Sequence, residues 1–272
     1  METSDIRSLV HSLLRLRGDA ALPPTASVII PVNAQNDLQN VLRVIRDIST
    51  YHGRHSVEII LIINNYSPDS PPDEIEQYQT LGLRVLAFPK IEERGEIYLT
   101  IRALGARSAL SEYTIHFDAD CRIPDATRLI DWYIQQFNLG AKLAYTYVGY
   151  YDLPTGPAMK LWMGLYKTFR WFKRVALRIP VSRGSNYAVI RSVLLEMYDK
   201  DLLNYDIKVG ATIRSIGGKI AYSGEKSLVV LTSGRNFRGD WKELFDYMVW
   251  RISYYHHLSP LKPESVKQDP GR

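Results

Sequence analysis

Two carboxylates one residue apart, Asp118 and Asp120, close the hydrophobic run 113–118 (YTIHFD). At a strand-to-loop turn both can converge on one ion or one sugar. Hard divalent cations such as Mg²⁺ and Mn²⁺ take oxygen ligands and commonly bind through one or two carboxylates plus substrate phosphates, so the pair suits a diphosphate site. The plainer alternative is a turn in which an Asp accepts backbone N–H bonds, and Asp-x-Asp alone does not separate the two. A second unusual stretch is 158–179 (AMKLWMGLYKTFRWFKRVALRI). On a helical wheel Leu161, Leu165, Phe169, Phe172, Ala176 and Ile179 share one side, while Lys160, Lys167, Arg174 and Arg178 gather on a flank of the other. No Asp or Glu lies between Asp152 and Glu196. One reading is an interfacial membrane helix, with Trp162, Lys167, Trp171 and Arg174 as its contact residues; the other is a core-packed helix with a solvated basic face.

These groups need a scaffold, and the hydrophobic periodicity describes one. Residues 27–32 (SVIIPV) form a β-branched run, followed by helical spacing of Leu38, Val41, Leu42, Ile45 and Ile48. The unit repeats as strand 57–63, a turn at Ser67-Pro68-Asp69, helix 73–80, strand 83–88, a helix from Glu96 to Leu110, and strand 113–118. Alternation of this kind predicts right-handed crossovers and an α/β fold with a mainly parallel sheet covered on both faces. Ligands in such sheets lie beyond the carboxyl ends of the strands, where Asn33, Asn64, Asn65, Asp118 and Asp120 fall. After a helix opened by Asp125 come strand 142–150, the basic stretch, strand 184–190, helices 191–199 and 205–216, strands 219–222 and 226–232, and a helix over 239–255. The boundaries read as an N-terminal helical extension (1–24), one domain (25–258) with a first half to 124 and a second, mixed half from 125, and a Pro- and Lys-rich flexible tail (259–272).

Composition narrows the partners. Hydrophobic residues make up 46% of the chain, which excludes disorder and small stapled scaffolds. The formal charge of +5 suits nucleotides or phospholipid headgroups, whereas the lack of a nucleic-acid reader motif argues against that class. Cys121 is the single cysteine, and the first residues, Met1-Glu2-Thr3-Ser4-Asp5, are acidic where a secretory signal is basic and then apolar. A cytoplasmic protein is expected, peripheral to the inner face of the membrane if the interfacial reading of 158–179 holds. No apolar run approaches the ~18 residues a spanning helix needs.

Four fragments, SVIIPVNAQND (27–37), EIILIINNYSPD (58–69), RALGARSALSEYTIHFDADCRIP (102–124) and YDIKVGATIRSIGGKI (205–220), resemble glycosyltransferase family 2 in content, order and spacing. That resemblance covers residues 25 to 235 and implies the GT-A fold, with residues 25–124 as the nucleotide-sugar half and 125–258 as the acceptor half. It implies metal-dependent transfer of a sugar from a nucleoside-diphosphate sugar to an acceptor hydroxyl, with inversion, in glycan, glycolipid or polysaccharide biosynthesis. Pro31, Val32 and Asn33 would approach the nucleotide, and Asn64-Asn65 would stand where a carboxylate usually contacts the base. Tyr66 would stack on the base or cap the loop. Asp120 would ligate Mn²⁺ or Mg²⁺, and Asp118 would contact ribose or sugar hydroxyls and share the metal. Asp206, in Tyr205-Asp206, would be the catalytic base, although its residue type also suits the start of a helix. Gly184, Ser185 and Asn186 match an acceptor-side turn, and Arg235 a diphosphate clamp. Arg94 and Arg102 lie where residues approach the donor; solvated helix charges are the plainer expectation for both. A lipid-linked acceptor would follow from a membrane helix. The rival readings are a non-catalytic scaffold, favoured by the Asn64-Asn65 and Tyr205 departures, and a nucleotidyltransferase, disfavoured because Asn33-Ala34-Gln35-Asn36 is not a Gly-rich basic loop.

Overall fold

A computed structural model describes residues 3–19, 21–91, 97–176, 178–180, 182, 184–203 and 205–234. The chain opens with α1 (Thr3–Arg17), whose Leu9, Leu13 and Leu16 are buried. The expected alternation follows: β1 (Ala26–Asn33), α2 (Leu38–Ser49), β2 (Val57–Asn64), α3 (Glu74–Thr80), β3 (Arg84–Phe88), α4 (Ile97–Ser108) and β4 (Tyr113–His116). Then come α5 (Ala126–Asn138), β5 (Leu143–Thr146), β6 (Val148–Tyr150), α6 (Pro157–Val175), β7 (Tyr187–Ile190), α7 (Arg191–Asp199), α8 (Val209–Ser215), β8 (Ile220–Ser223) and β9 (Val230–Thr232).

Seven strands form one sheet in the order β3-β2-β1-β4-β7-β5-β8, parallel throughout except for β7, which runs against both neighbours. Its two faces explain the near-continuous apolar strands. Val28, Ile30 and Val32 of β1, with Ile59, Leu61 and Ile63 of β2, face the layer that holds Val41, Ile45, Leu129 and Tyr133. The alternate residues Ile29, Ile60 and Ile62 face Leu99, Ala103 and Ala106 of α4. Gly105 lets α4 lie close against this second face: a Cβ there would stand 2.5 Å from Ile29 Cγ2 and 2.8 Å from Ile62 Cδ1.

Several expected elements differ in detail; strand 184–190 begins only at Tyr187, after a turn at 184–186. Residues 142–150 form two strands broken at Tyr147, because β5 pairs in the main sheet while β6 leaves it to pair with β9. Strand 226–232 is a 3-10 turn (Lys226–Leu228) and then the three-residue β9. Helix 205–216 starts as a 3-10 turn, Asp206–Lys208, before α8. Asp125 is the α5 N-cap, accepting from the Arg128 amide at 2.9 Å. Helix 239–255 and the tail lie outside the described residues.

Candidate active site

β1, β2 and β4 end side by side on one edge of the sheet, which brings the first polar residues after each strand to a common rim. Pro31 and Val32 are buried within β1, so of the first candidate trio the Asn33 side chain reaches the rim. Its Oδ1 accepts from Asn65 Nδ2 at 3.2 Å and from the Gln35 amide at 3.0 Å. Asn65 takes a left-handed φ of 65°, a conformation Asn tolerates and one that turns the chain away from β2. Asn64 is buried, and its carbonyl accepts from the Ala34 amide at 2.8 Å. Tyr66 packs part-buried against the first apolar layer.

The centre of the site is a guanidinium that the plainer sequence expectation put in solvent. Arg102 lies on α4 with 0% exposure, in a helix that is apolar on nearly every side. Nη2 donates to Asp118 Oδ1, and Nε lies 3.6 Å from Asp206 Oδ2. One cation therefore joins the first carboxylate of the strand-end pair to the carboxylate that opens the 3-10 turn before α8. Arg102 Nε and Nη1 have no hydrogen-bond partner among the described residues. Burial works against the charge of Arg102, but Asp118 and then Asp206 outweigh it and hold the side chain protonated. Beneath it Tyr187 presents its ring 5.9 Å from the guanidinium carbon, and His116 stacks on Tyr187 with centroids 4.8 Å apart. Burial, reinforced by the Arg102 charge, pushes His116 well below the ordinary imidazole range, so it is neutral.

Gly184 makes this arrangement possible. A Cβ there would collide with Arg102 Nη2 and stand 2.6 Å from Asp206 Oδ2. Its two partners in the expected acceptor turn serve the fold: Asn186 Nδ2 donates to the Thr146 carbonyl, and Ser185 is buried with its carbonyl 3.6 Å from Cys121 Sγ. Burial raises the Cys121 thiol well above its usual value, which removes it as a nucleophile.

Asp118 is 41% exposed at its side chain, while Asp120 Oδ1 accepts from Thr232 Oγ1 at 3.1 Å. Next to Thr232, Ser233 Oγ and the Gly234 amide both donate to Asp152, at 2.8 Å for the hydroxyl, so the chain leading to Arg235 is tied down beside Asp120. Asp152 was not legible as part of the site; Tyr150-Tyr151-Asp152 carries no spacing that marks it. Arg94 and Arg235 lie outside the described residues. Among the described residues no three His, Cys, Asp or Glu side chains gather as a metal cage. Two carboxylates with oxygen donors alone are the set a hard divalent cation uses when substrate phosphates complete its shell.

In α6, Trp162 is buried at 6% exposure rather than at a polar boundary, and the Arg174 guanidinium sits 3.9 Å from the centroid of the Tyr222 ring. Both are spent on the protein's own core and surface. Among the described residues no helix is long and apolar enough to cross a membrane.

A mainly parallel sheet with one reversed strand, helices on both faces and acidic residues at the carboxyl edge is the GT-A glycosyltransferase architecture. Solved structures agree. The chain is similar to the mannosyltransferase PcManGT from Pyrobaculum calidifontis in complex with GDP-Man and Mn²⁺, with TM-score 0.56 and 15% identity over 96% of this chain and 74% of that one. GalNAc-T7 with UDP, GalNAc and Mn²⁺ gives TM-score 0.55 and 17% identity over 86% of this chain, which spans 50% of that protein. S. aureus TarS 1-349 gives 0.53 and 14%, covering 84% of this chain and 65% of that one. Likeness at this identity is one of fold. No protein-family model matches the sequence, and no curated protein matches it.

Proposed function

We propose that this protein is a glycosyltransferase of the family 2 kind, moving a hexosyl group from a nucleoside-diphosphate sugar to an acceptor hydroxyl with inversion. The observation that carries the reading is the buried Arg102 joining Asp118 and Asp206 at the carboxyl edge of a GT-A sheet. In this reading Asn33, Asn64 and Asn65 line the nucleotide end, and amides there both donate and accept toward a base. Asp118 bonds ribose or sugar hydroxyls while Arg102 fixes its orientation. Asp118 and Asp120 suit a divalent cation, whose contribution when bound is to neutralise charge on the departing diphosphate. Mn²⁺ in the PcManGT and GalNAc-T7 structures supports that assignment. Arg235 and Arg94 are further candidates for the diphosphate.

Asp206 takes the proton from the acceptor hydroxyl as that oxygen attacks the anomeric carbon. One positioned carboxylate suffices for a single displacement, and Arg102 Nε on one side and the Gly184 backbone on the other hold it in place. The expected acceptor is a glycan or lipid-linked hydroxyl. The test is release of nucleoside diphosphate from UDP-, GDP- and dTDP-sugars with Mn²⁺. Asp206→Asn should lose transfer by roughly 10²–10⁴ while nucleotide affinity stays the same. Unchanged turnover in that variant removes the base assignment, and no release from any donor by the wild type moves the scaffold reading to the front.

A further inference from the structure

α6 is two-sided in a way that the site does not account for. Its inner face buries Trp162, Met163 and Tyr166 against Tyr150, Leu153, Tyr205 and Ile207. Its outer face leaves Leu161 at 64%, Leu165 at 56%, Phe172 at 45% and Val175 at 50% exposure, with Trp171 at 54% beside them. Residues 161, 165, 172 and 175 repeat at helical spacing and put four large apolar side chains on one face of a 19-residue helix, with the exposed Thr168 among them turning its hydroxyl back to the Gly164 carbonyl. Scattered exposed apolar residues need no explanation, but a stripe on one helix face does.

Charge says what covers it. The chain between Asp152 and Glu196 holds eight Lys and Arg and no acidic residue. Those turned inward are engaged: Arg170 donates to the Val148 carbonyl and lies over the Tyr147 ring, and Arg174 lies over Tyr222. Lys160 and Lys167 are exposed along one flank of the stripe, and Arg178 is exposed just past the end of the helix. An apolar face bordered by exposed cations fits a bilayer with anionic headgroups, which takes the stripe into its acyl boundary and the cations at its surface. A second copy of this chain fits poorly, since a two-fold contact through the stripe would bring two basic flanks together.

We propose that the outer face of α6 docks the protein on anionic phospholipid membranes. The proposal does not depend on the transferase reading, although Tyr205 and Ile207, which flank Asp206, pack on the same helix and would set the candidate base close to the membrane surface.

The test is flotation of the full chain with vesicles of equal parts phosphatidylglycerol and phosphatidylcholine, against vesicles of phosphatidylcholine alone. Wild type should float with the anionic vesicles. A Leu165→Ser, Phe172→Ser variant and a Lys160→Glu, Lys167→Glu variant should each lose binding on the order of tenfold or more. All four side chains are exposed, so melting temperatures should match wild type, and nucleoside-diphosphate binding should be unchanged in both variants. Absence of wild-type flotation, or flotation that neither variant weakens, overturns the proposal while leaving the transferase reading intact. A dimer seen by light scattering that the serine variant dissolves, without vesicle binding, would place a second copy on the stripe and overturn it as well.

Discussion

Arg102 shows how one buried charge organises a site. With no exposure of its own it is held by Asp118 and Asp206, so replacing it with Met leaves two carboxylates facing one another without their cation. Breaking a fully buried pair costs roughly 3–5 kcal/mol, and the 41% exposure of Asp118 lowers that to about 2 kcal/mol. Arg102→Met should therefore lower the melting temperature by about 4–8 °C in a chain of this size. Arg102→Lys should not restore activity, because a point charge cannot replace a planar fork that spans two carboxylates. An unchanged melting temperature in Arg102→Met would show that the pair adds nothing to the fold. His116 gives a pH test. Buried and neutral, it takes up no proton in the folded state, whereas the unfolded chain protonates it below its ordinary value. Its contribution is thus present above pH ~6.5 and fades as pH falls, with a slope of at most about 1.4 kcal/mol per pH unit. His116→Gln should flatten the loss of stability between pH 7 and pH 5; an equal slope in the two proteins would contradict the assignment. Residue types alone marked Asp118 and Asp120 as candidates, because paired carboxylates at a strand end are conspicuous, whereas Asp206 entered only through the family resemblance. The resemblance placed Arg102 near the donor, but its burial went unread, although its helix, IYLTIRALGA, is apolar on nearly every side and leaves it no wet face.

Elements decide where those side chains meet. The 3-10 turn Asp206–Lys208 brings Asp206 back over α4, and Gly184 supplies the space that lets it approach Arg102. Gly184→Ala should push both side chains apart and reduce turnover at least tenfold, with little change in nucleotide affinity; full activity would show that the gap is not needed. Gly105→Val tests packing without touching the site. Overfilling the tight seat of α4 on Ile29 and Ile62 should destabilise the fold by about 1–3 kcal/mol, read from denaturant midpoints. The first half was legible chiefly through β1 and β2, apolar runs each ended by Asn, and through the helical spacing of apolar residues in α2. The second half was less so. Nothing at Tyr147 marks the point where β5 gives way to β6, since the break comes from pairing with β8 on one side and β9 on the other. Pairing partners far apart in sequence leave no local signal.

For the whole molecule, the fold came through in the sequence while specificity did not. Alternating strands and helices predict the parallel sheet, and the reversal of β7 between β4 and β5 gives the mixed half. The same architecture occurs in PcManGT at 15% identity, so sheet order persists where residue identities do not. In the proposed reading, the choice of base, sugar and acceptor depends on contacts at the rim, where Asn65 is set by its left-handed turn rather than by pattern. The most direct test of the central claim is calorimetric titration of UDP, GDP and dTDP, with and without Mn²⁺, into wild type and Asp120→Ala. One nucleotide should bind the wild type with Mn²⁺, and its binding should be lost when either the metal or the Asp120 carboxylate is removed. Binding of none of them, or binding that ignores both Mn²⁺ and Asp120, would contradict the account.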